Sequence, residues 1–373
     1  MIFSGGMHPL FLLMAAIAIV IGLYQLYDRA PILMPVFFLG SLLGLILRAV
    51  QLAKERRRQR DAKAVLSFTE LRSKDLTRYG AWIKESLRGH DAVVDKVLSR
   101  VQQGLGLAAP GRTLGAFLLV GPTGTGKTYL AELMAKALYP DSEPILLRMN
   151  QYKDHEDVFT LIGPPPGYPG YEVGGALTRP VLDNPYRVVI LDEFDQSHPD
   201  VKHCLYDILD RGQGREKSSG KTVHFNGCAF FATCNSGVDT LRAIWKESED
   251  PIARMGRARE ALARDGFEKA LLARFDEVHL MDTLSPVVVA EVACLQIAKH
   301  WKQYGIEVTY ASPELLVEAV RRNVEFQDYG VRQLAHLIQE LTTPTIEAAR
   351  RNGASRVRLE LDKRTGQVTA ADA

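Results

Sequence analysis

Gly121-Pro122-Thr123-Gly124-Thr125-Gly126-Lys127-Thr128 follows the apolar run Ala116–Val120 and opens the helical stretch Tyr129–Leu138. This is G-x-x-x-x-G-K-[ST] set between a strand and a helix, the context in which a glycine-rich loop wraps phosphates. Its glycines let the backbone approach an anion closely, and the helix N-terminus adds its dipole. Lys127 is placed to reach β- and γ-phosphates, and the Thr128 hydroxyl to bind Mg2+.

A second apolar run, Val188–Leu191, delivers Asp192 and Glu193. Behind a phosphate loop, the first carboxylate suits the metal and the second can polarise an attacking water. An acidic pair can also simply cap a strand, but beside this loop hydrolysis is the expected chemistry. Further strands are expected at Ile145–Met149, Ala229–Thr233 and Asp276–Leu280. All are near-continuous apolar runs, as parallel strands covered on both faces require. The spacings admit helical crossovers, so the fold class is α/β: a P-loop parallel sheet with helices on both faces.

From Ser285 the texture changes to long helical patterns at 286–303, 312–323 and 330–352, then one strand at Arg356–Leu361. This predicts a small, mostly helical second domain, with a polar, frayed tail from Asp362 to Ala373.

The N-terminal end is different again. No formally charged side chain precedes Asp28, and none lies between Arg29 and Arg48. Two apolar stretches, Pro9–Leu26 and Ala30–Leu47, are each just long enough to span a membrane. A cleaved signal peptide would carry a basic start that is missing here, and a buried core hairpin would show a polar stripe. A transmembrane helical hairpin is the expected reading. Residues 48–63 then hold seven basic and two acidic side chains, which sets two spans in the inner (cell) membrane with the large domain cytoplasmic. The same charges suit anionic membrane lipid headgroups. The whole chain of 373 residues carries only +2, so the rest is mildly acidic. Cys204, Cys228, Cys234 and Cys294 show no zinc spacing and read as reduced thiols.

The expected organisation is a hairpin at 1–50, a collar and connector at 51–86, a large ATPase domain at 87–284, a small helical domain at 285–361 and a tail at 362–373.

Several further segments occur in order: Gly89-His-Asp-Ala-Val, LIGPPPGYPGYEVGG at 161–175, ILDEFDQSHPDV at 190–201, GKTVHF at 220–225, ATCN at 232–235, LLARFDEV at 271–278 and YGVRQL at 329–334. Together with the phosphate loop they resemble an AAA+ ATPase of the Clp family, most closely the C-terminal ATPase module of ClpB-type disaggregases. The resemblance runs from about Leu87 to Leu361. It implies ATP and Mg2+ as cofactors, a homo-hexameric ring and a protein substrate. It further implies that Asn235 is the sensor-1 amide that holds the attacking water, and that Arg332 is the sensor-2 arginine. Arg274 takes the arginine-finger position, completing the neighbouring subunit's site, a contribution of about 10³–10⁵ in rate. Leu87, Arg88 and Gly89 lie where the family lodges adenine. Tyr168, on Gly167-Tyr168-Pro169-Gly170, matches the aromatic pore loop that grips polypeptide. Glycine pivots and prolines around it favour an exposed loop over a core aromatic.

The departures also matter. The N-terminal substrate domain, first ATPase ring and middle domain of ClpB are absent from this sequence. Pro169 replaces a small aliphatic residue and stiffens the pore loop. The segment Asp210–Phe225 is divergent as a second pore loop. Between Ser236 and Gly266 there is no Ile-Gly-Phe or Ile-Gly-Leu tripeptide, so no ClpP-like peptidase partner is expected. A membrane-anchored unfoldase is the leading expectation. The alternative is a membrane-tethered assembly or switch ATPase of a secretion, conjugation or defence machine, acting without threading. The acidic soluble part and aromatic loop argue against a nucleic-acid partner.

Overall fold

The computed structural model describes residues 75–107, 111–247, 250–325, 330–362 and 364–372, without the side chains of 323–325 and 330–332. The expected hairpin at 1–50 and the collar lie outside the described residues. Among the described residues, no helix is long and apolar enough to cross a membrane.

Five strands form a parallel sheet: β1 (Gly115–Val120), β2 (Ile145–Arg148), β3 (Val188–Asp192), β6 (Ala229–Cys234) and β7 (Glu277–Leu280). Their order is β2-β3-β6-β1-β7, with every neighbouring pair parallel. Two short antiparallel strands, β4 (Gln213–Arg215) and β5 (Thr222–His224), make a separate hairpin.

The apolar runs follow from where each strand lies. Alternate residues of a strand face opposite sides, so an interior strand must be apolar at every position. Ala116, Leu118 and Val120 of β1 join one core with Leu191, Phe230 and Ala232. Phe117 and Leu119 join the other with Ile190, Phe231, Leu130 and Met134. Phe117 and Phe231 are register partners and stack with ring centroids 4.9 Å apart. Helices Thr77–Ser86, Asp91–Leu107 and Lys127–Leu138 cover this second face. The strand β2 departs from the expected two-sided burial: Ile145 and Leu147 are buried, while Leu146 and Arg148 are exposed. It is an edge strand and is covered on one face only.

The C-terminal part packs helices Pro286–Lys302, Pro313–Glu325 and Gly330–Arg351 around Trp301, Leu315, Leu334 and Leu359. The Ser285 hydroxyl caps the first helix by accepting the N–H of Val288, with Pro286 in the first turn. Two expectations are corrected here. The part is not served by one strand: β8 (Glu307–Ala311) runs parallel to β9 (Arg356–Leu361), and β10 (Val368–Asp372) antiparallel to β9. The described residues of the expected frayed tail at 362–373 are therefore ordered into this sheet, as Val368–Asp372 shows. The Asp362 N–H bonds the Gln367 carbonyl at 2.9 Å to close a hairpin, and Val368 enters the core. Small alternating residues carry little hydropathy signal, yet they suffice where a partner strand is already in place.

Candidate active site

The C-terminal ends of β1, β3 and β6 converge, and the register fixes what meets there. Val120 pairs with Cys234, and the Gly121 N–H donates to the Cys234 carbonyl at 3.1 Å. The phosphate loop thus begins beside the residue that precedes Asn235.

In the loop, the Lys127 ammonium folds back to donate to the carbonyls of Gly121 and Pro122, both at 2.7 Å. It is buried, and desolvation pulls its pKa down to about 8, although Asp192, Asp195 and Glu193 act the other way. A buried cation with only carbonyls for partners is suited to receive an anion. Gly121 could carry no side chain, since a Cβ would lie 2.1 Å from the Met281 carbonyl oxygen. Gly126 has φ +94° and a Cβ there would meet Leu87 at 2.6 Å. Both positions require glycine. Thr125 Oγ1 donates to the Pro122 carbonyl at 3.0 Å, while Thr123 is exposed at the top of the loop with Gly124 in the left-handed region behind it.

The metal ligands expected from the sequence are together. Thr128 Oγ1 donates to Asp192 Oδ1 at 2.8 Å. Two protein oxygens at one point fit a Mg2+ that takes its other ligands from phosphates and water. Among the described residues, no cluster of three or more His, Cys, Asp or Glu side chains suits a metal.

Glu193 follows Asp192 with φ 55°, the one non-glycine residue in the left-handed region among those described. Its backbone N–H donates to Thr233 Oγ1 at 2.9 Å, and the same hydroxyl donates to Asp192 Oδ1 at 2.7 Å. Asp195 Oδ2 accepts from the N–H groups of Asn235 and Ser236 at 3.3 and 3.2 Å, and from the Ser236 hydroxyl at 2.6 Å. Thr233 and Asp195 thus tie the end of β6 to the acidic turn. His90 Nε2, its pKa lowered by burial, donates to the Thr125 carbonyl at 3.0 Å and links residues 87–90 to the loop. No motif signals a role for Thr233, Asp195 or His90. Thr233 sits within ATCN and His90 directly after Gly89, but only the register shows what they hold.

The remaining candidates lie apart from this point. Arg274 contacts Asp210, Tyr206 and the Ala270 carbonyl, none of which belongs to the phosphate loop. Arg332 lies in the helix Gly330–Arg351, and its side chain is outside the described residues. Leu87 packs on Gly126, and Gly89 faces Leu284 and Val288. Tyr168 is 57% exposed on a loop whose Gly167 and Gly170 have φ near +90° and +80°. Phe159 contacts its ring at 6.1 Å between centroids. Within the segment 210–225, Asp210 and Arg211 end a helix and residues 213–224 form the β4–β5 hairpin, whose tip braces this loop: the Lys217 N–H donates to the Ile162 carbonyl and Ser218 Oγ to that of Pro164, both at 2.9 Å.

Residues 112–278 match the model of the AAA domain (Cdc48 subfamily). The chain is 35% identical over 267 residues to the ATP-dependent Clp protease ATP-binding subunit ClpE of Lactococcus lactis, covering 69% of this chain and 35% of that protein. It is 33% identical over 265 residues to the mitochondrial chaperone protein ClpB4 of Arabidopsis thaliana, covering 68% of this chain and 27% of the relative. With the chaperone protein ClpB of Streptomyces albus it shares 34% identity over 270 residues, 71% of this chain and 30% of that one. The chain spans about a third of the length of these curated relatives.

Proposed function

We propose that this chain, an ATPase built on a Clp-type AAA module, is a membrane-anchored protein unfoldase or remodelling chaperone that pulls polypeptide through the pore of a homo-hexameric ring. One observation carries the reading: an exposed tyrosine on a glycine-hinged, hairpin-braced loop stands in the same module as an assembled phosphate site. An aromatic ring gives contact that tolerates any peptide sequence, and a braced loop can transmit force to it.

The residues divide the work as follows. Gly121–Gly126 and Lys127 bind the triphosphate, and the lysine exchanges its two carbonyl partners for phosphate oxygens. Thr128 and Asp192 hold Mg2+, which supplies charge neutralisation on the β- and γ-phosphates when bound. Glu193 orients the attacking water and accepts its proton, while Asn235 fixes the water against the γ-phosphate. Arg274 acts on the neighbouring subunit's site, and Arg332 lets the small domain respond to the nucleotide. The hairpin at 1–50 anchors the ring in the inner membrane, with the basic collar on cytoplasmic headgroups. The partner is then a polypeptide at or near that membrane, without a ClpP-like peptidase.

A photocrosslinking residue placed at Tyr168 in a Glu193→Gln background tests the reading with a defined unfolded polypeptide. ATP should give a crosslink to that polypeptide well above the ADP level. Equal crosslinking in ATP and ADP counts against threading.

A further inference from the structure

The side chain of Arg274 is held by its own chain in a specific way. Its backbone is fixed on the C-terminal side. Phe275 is buried and packs edge-on against Phe194 at 5.8 Å, and its carbonyl accepts from Arg259 Nη2 at 2.7 Å. Asp276 takes the Ala116 N–H at 2.8 Å and pairs with Arg100. With the backbone pinned, the guanidinium moves only by its own torsions.

That guanidinium lies over the Tyr206 ring, 4.2 Å from Cζ to centroid, and its Nη2 meets Asp210 Oδ2 at 2.7 Å. Nη1 donates to the Ala270 carbonyl, and Nε is buried with no hydrogen-bond partner among the described residues. Tyr206 and Asp210 are four residues apart on the helix Tyr206–Arg211, so they share a face. The Tyr206 hydroxyl in turn donates to Glu268, which also takes His203 Nε2 at 2.8 Å. Burial and Glu268 push the tyrosine up to about 12, so it stays a donor and the ring stays where it is.

We infer that Tyr206 and Asp210 are positioning residues for Arg274: the ring is a platform that aims the guanidinium, and the carboxylate is a resting partner that a neighbouring subunit's phosphate displaces. Stacking on the face leaves the edge of the guanidinium available to an anion. The Asp210 pair is half-exposed and uses one guanidinium nitrogen, so it is weak enough to exchange. An incoming phosphate also offers an acceptor to the orphaned Nε. Phe275 touches Phe194, so the residue after Arg274 packs on the residue after this subunit's own Glu193. The inference rests on the reading of Arg274 as a finger acting in trans.

Steady-state ATPase of the full assembled chain tests it. Tyr206→Ala should lower kcat about tenfold with the KM for ATP unchanged, while Tyr206→Phe stays within about twofold of wild type. Asp210→Asn should raise kcat about two- to fivefold by removing the competitor. In an Arg274→Ala background neither Tyr206→Ala nor Asp210→Asn should change kcat further. If Arg274→Ala is impaired but both substitutions are silent in the wild-type background, the positioning role is wrong while the finger stands. A Tyr206→Ala effect that persists without Arg274 overturns it as well, because the loss is then structural. Full activity of Arg274→Ala would instead remove the finger reading itself.

Discussion

Thr233 holds Glu193 in a backbone conformation that glutamate does not favour. The threonine hydroxyl accepts the Glu193 N–H at 2.9 Å, and Glu193 sits at φ 55°. A left-handed non-glycine residue costs about 1–3 kcal/mol and persists only where its surroundings fix it. Thr233→Val removes both bonds and keeps the shape of the side chain. It should lower kcat about ten- to a hundredfold, leave ATP affinity within about twofold, and be largely rescued by Thr233→Ser. Nucleotide titration beside turnover checks this; a matching loss of affinity would mean that Thr233 supports the loop rather than the glutamate.

Lys127 gives a pH dependence of defined sign. Its pKa falls from 10.5 free to about 8 in the folded, nucleotide-free chain, with burial as the main cause. The folded state therefore binds fewer protons than the unfolded state between those values, and stability rises with pH across that window. Below pH 8 the buried ammonium costs roughly 3 kcal/mol. Lys127→Met should abolish nucleotide binding yet stabilise the nucleotide-free protein at pH 7, with the gain shrinking as pH approaches 10. Denaturant unfolding of both proteins at several pH values decides it, and a pH-independent difference would contradict it.

Termination of the chain after residue 364 removes β10. The Val368 side chain leaves the core, and Thr345 Oγ1 loses the Val368 carbonyl that it reaches at 2.7 Å. The loss of about 2 kcal/mol should lower the melting temperature of this part by about 5 °C or more. An unchanged melt would return the segment to the status of a tail.

The contrast between these cases shows what a sequence makes legible. Interior strands such as Gly115–Val120 announce themselves because both faces are buried, and the phosphate loop because only glycine fits against Met281 and Leu87. Asp192 and Thr128 follow from that loop by chemistry. Thr233, Asp195 and His90 act through neighbours 40, 40 and 35 residues away, so their roles appear only with the register. The strands β8 and β10 were hidden because their faces are half-exposed and their residues small or polar. Arg274 was identified by its motif, whereas its contacts with Tyr206 and Asp210 depend on a helix more than 60 residues earlier.

In the proposed function, ATP hydrolysis drives a grip by Tyr168 on polypeptide. Unfolding of a fluorescent reporter, fused to an unstructured segment and presented to the full chain, measures that grip directly. Wild-type protein should extinguish the fluorescence only with ATP, and Tyr168→Ala should lose unfolding while keeping basal ATPase activity. Reporter unfolding by Tyr168→Ala at the wild-type rate would rule out a threading role for this tyrosine.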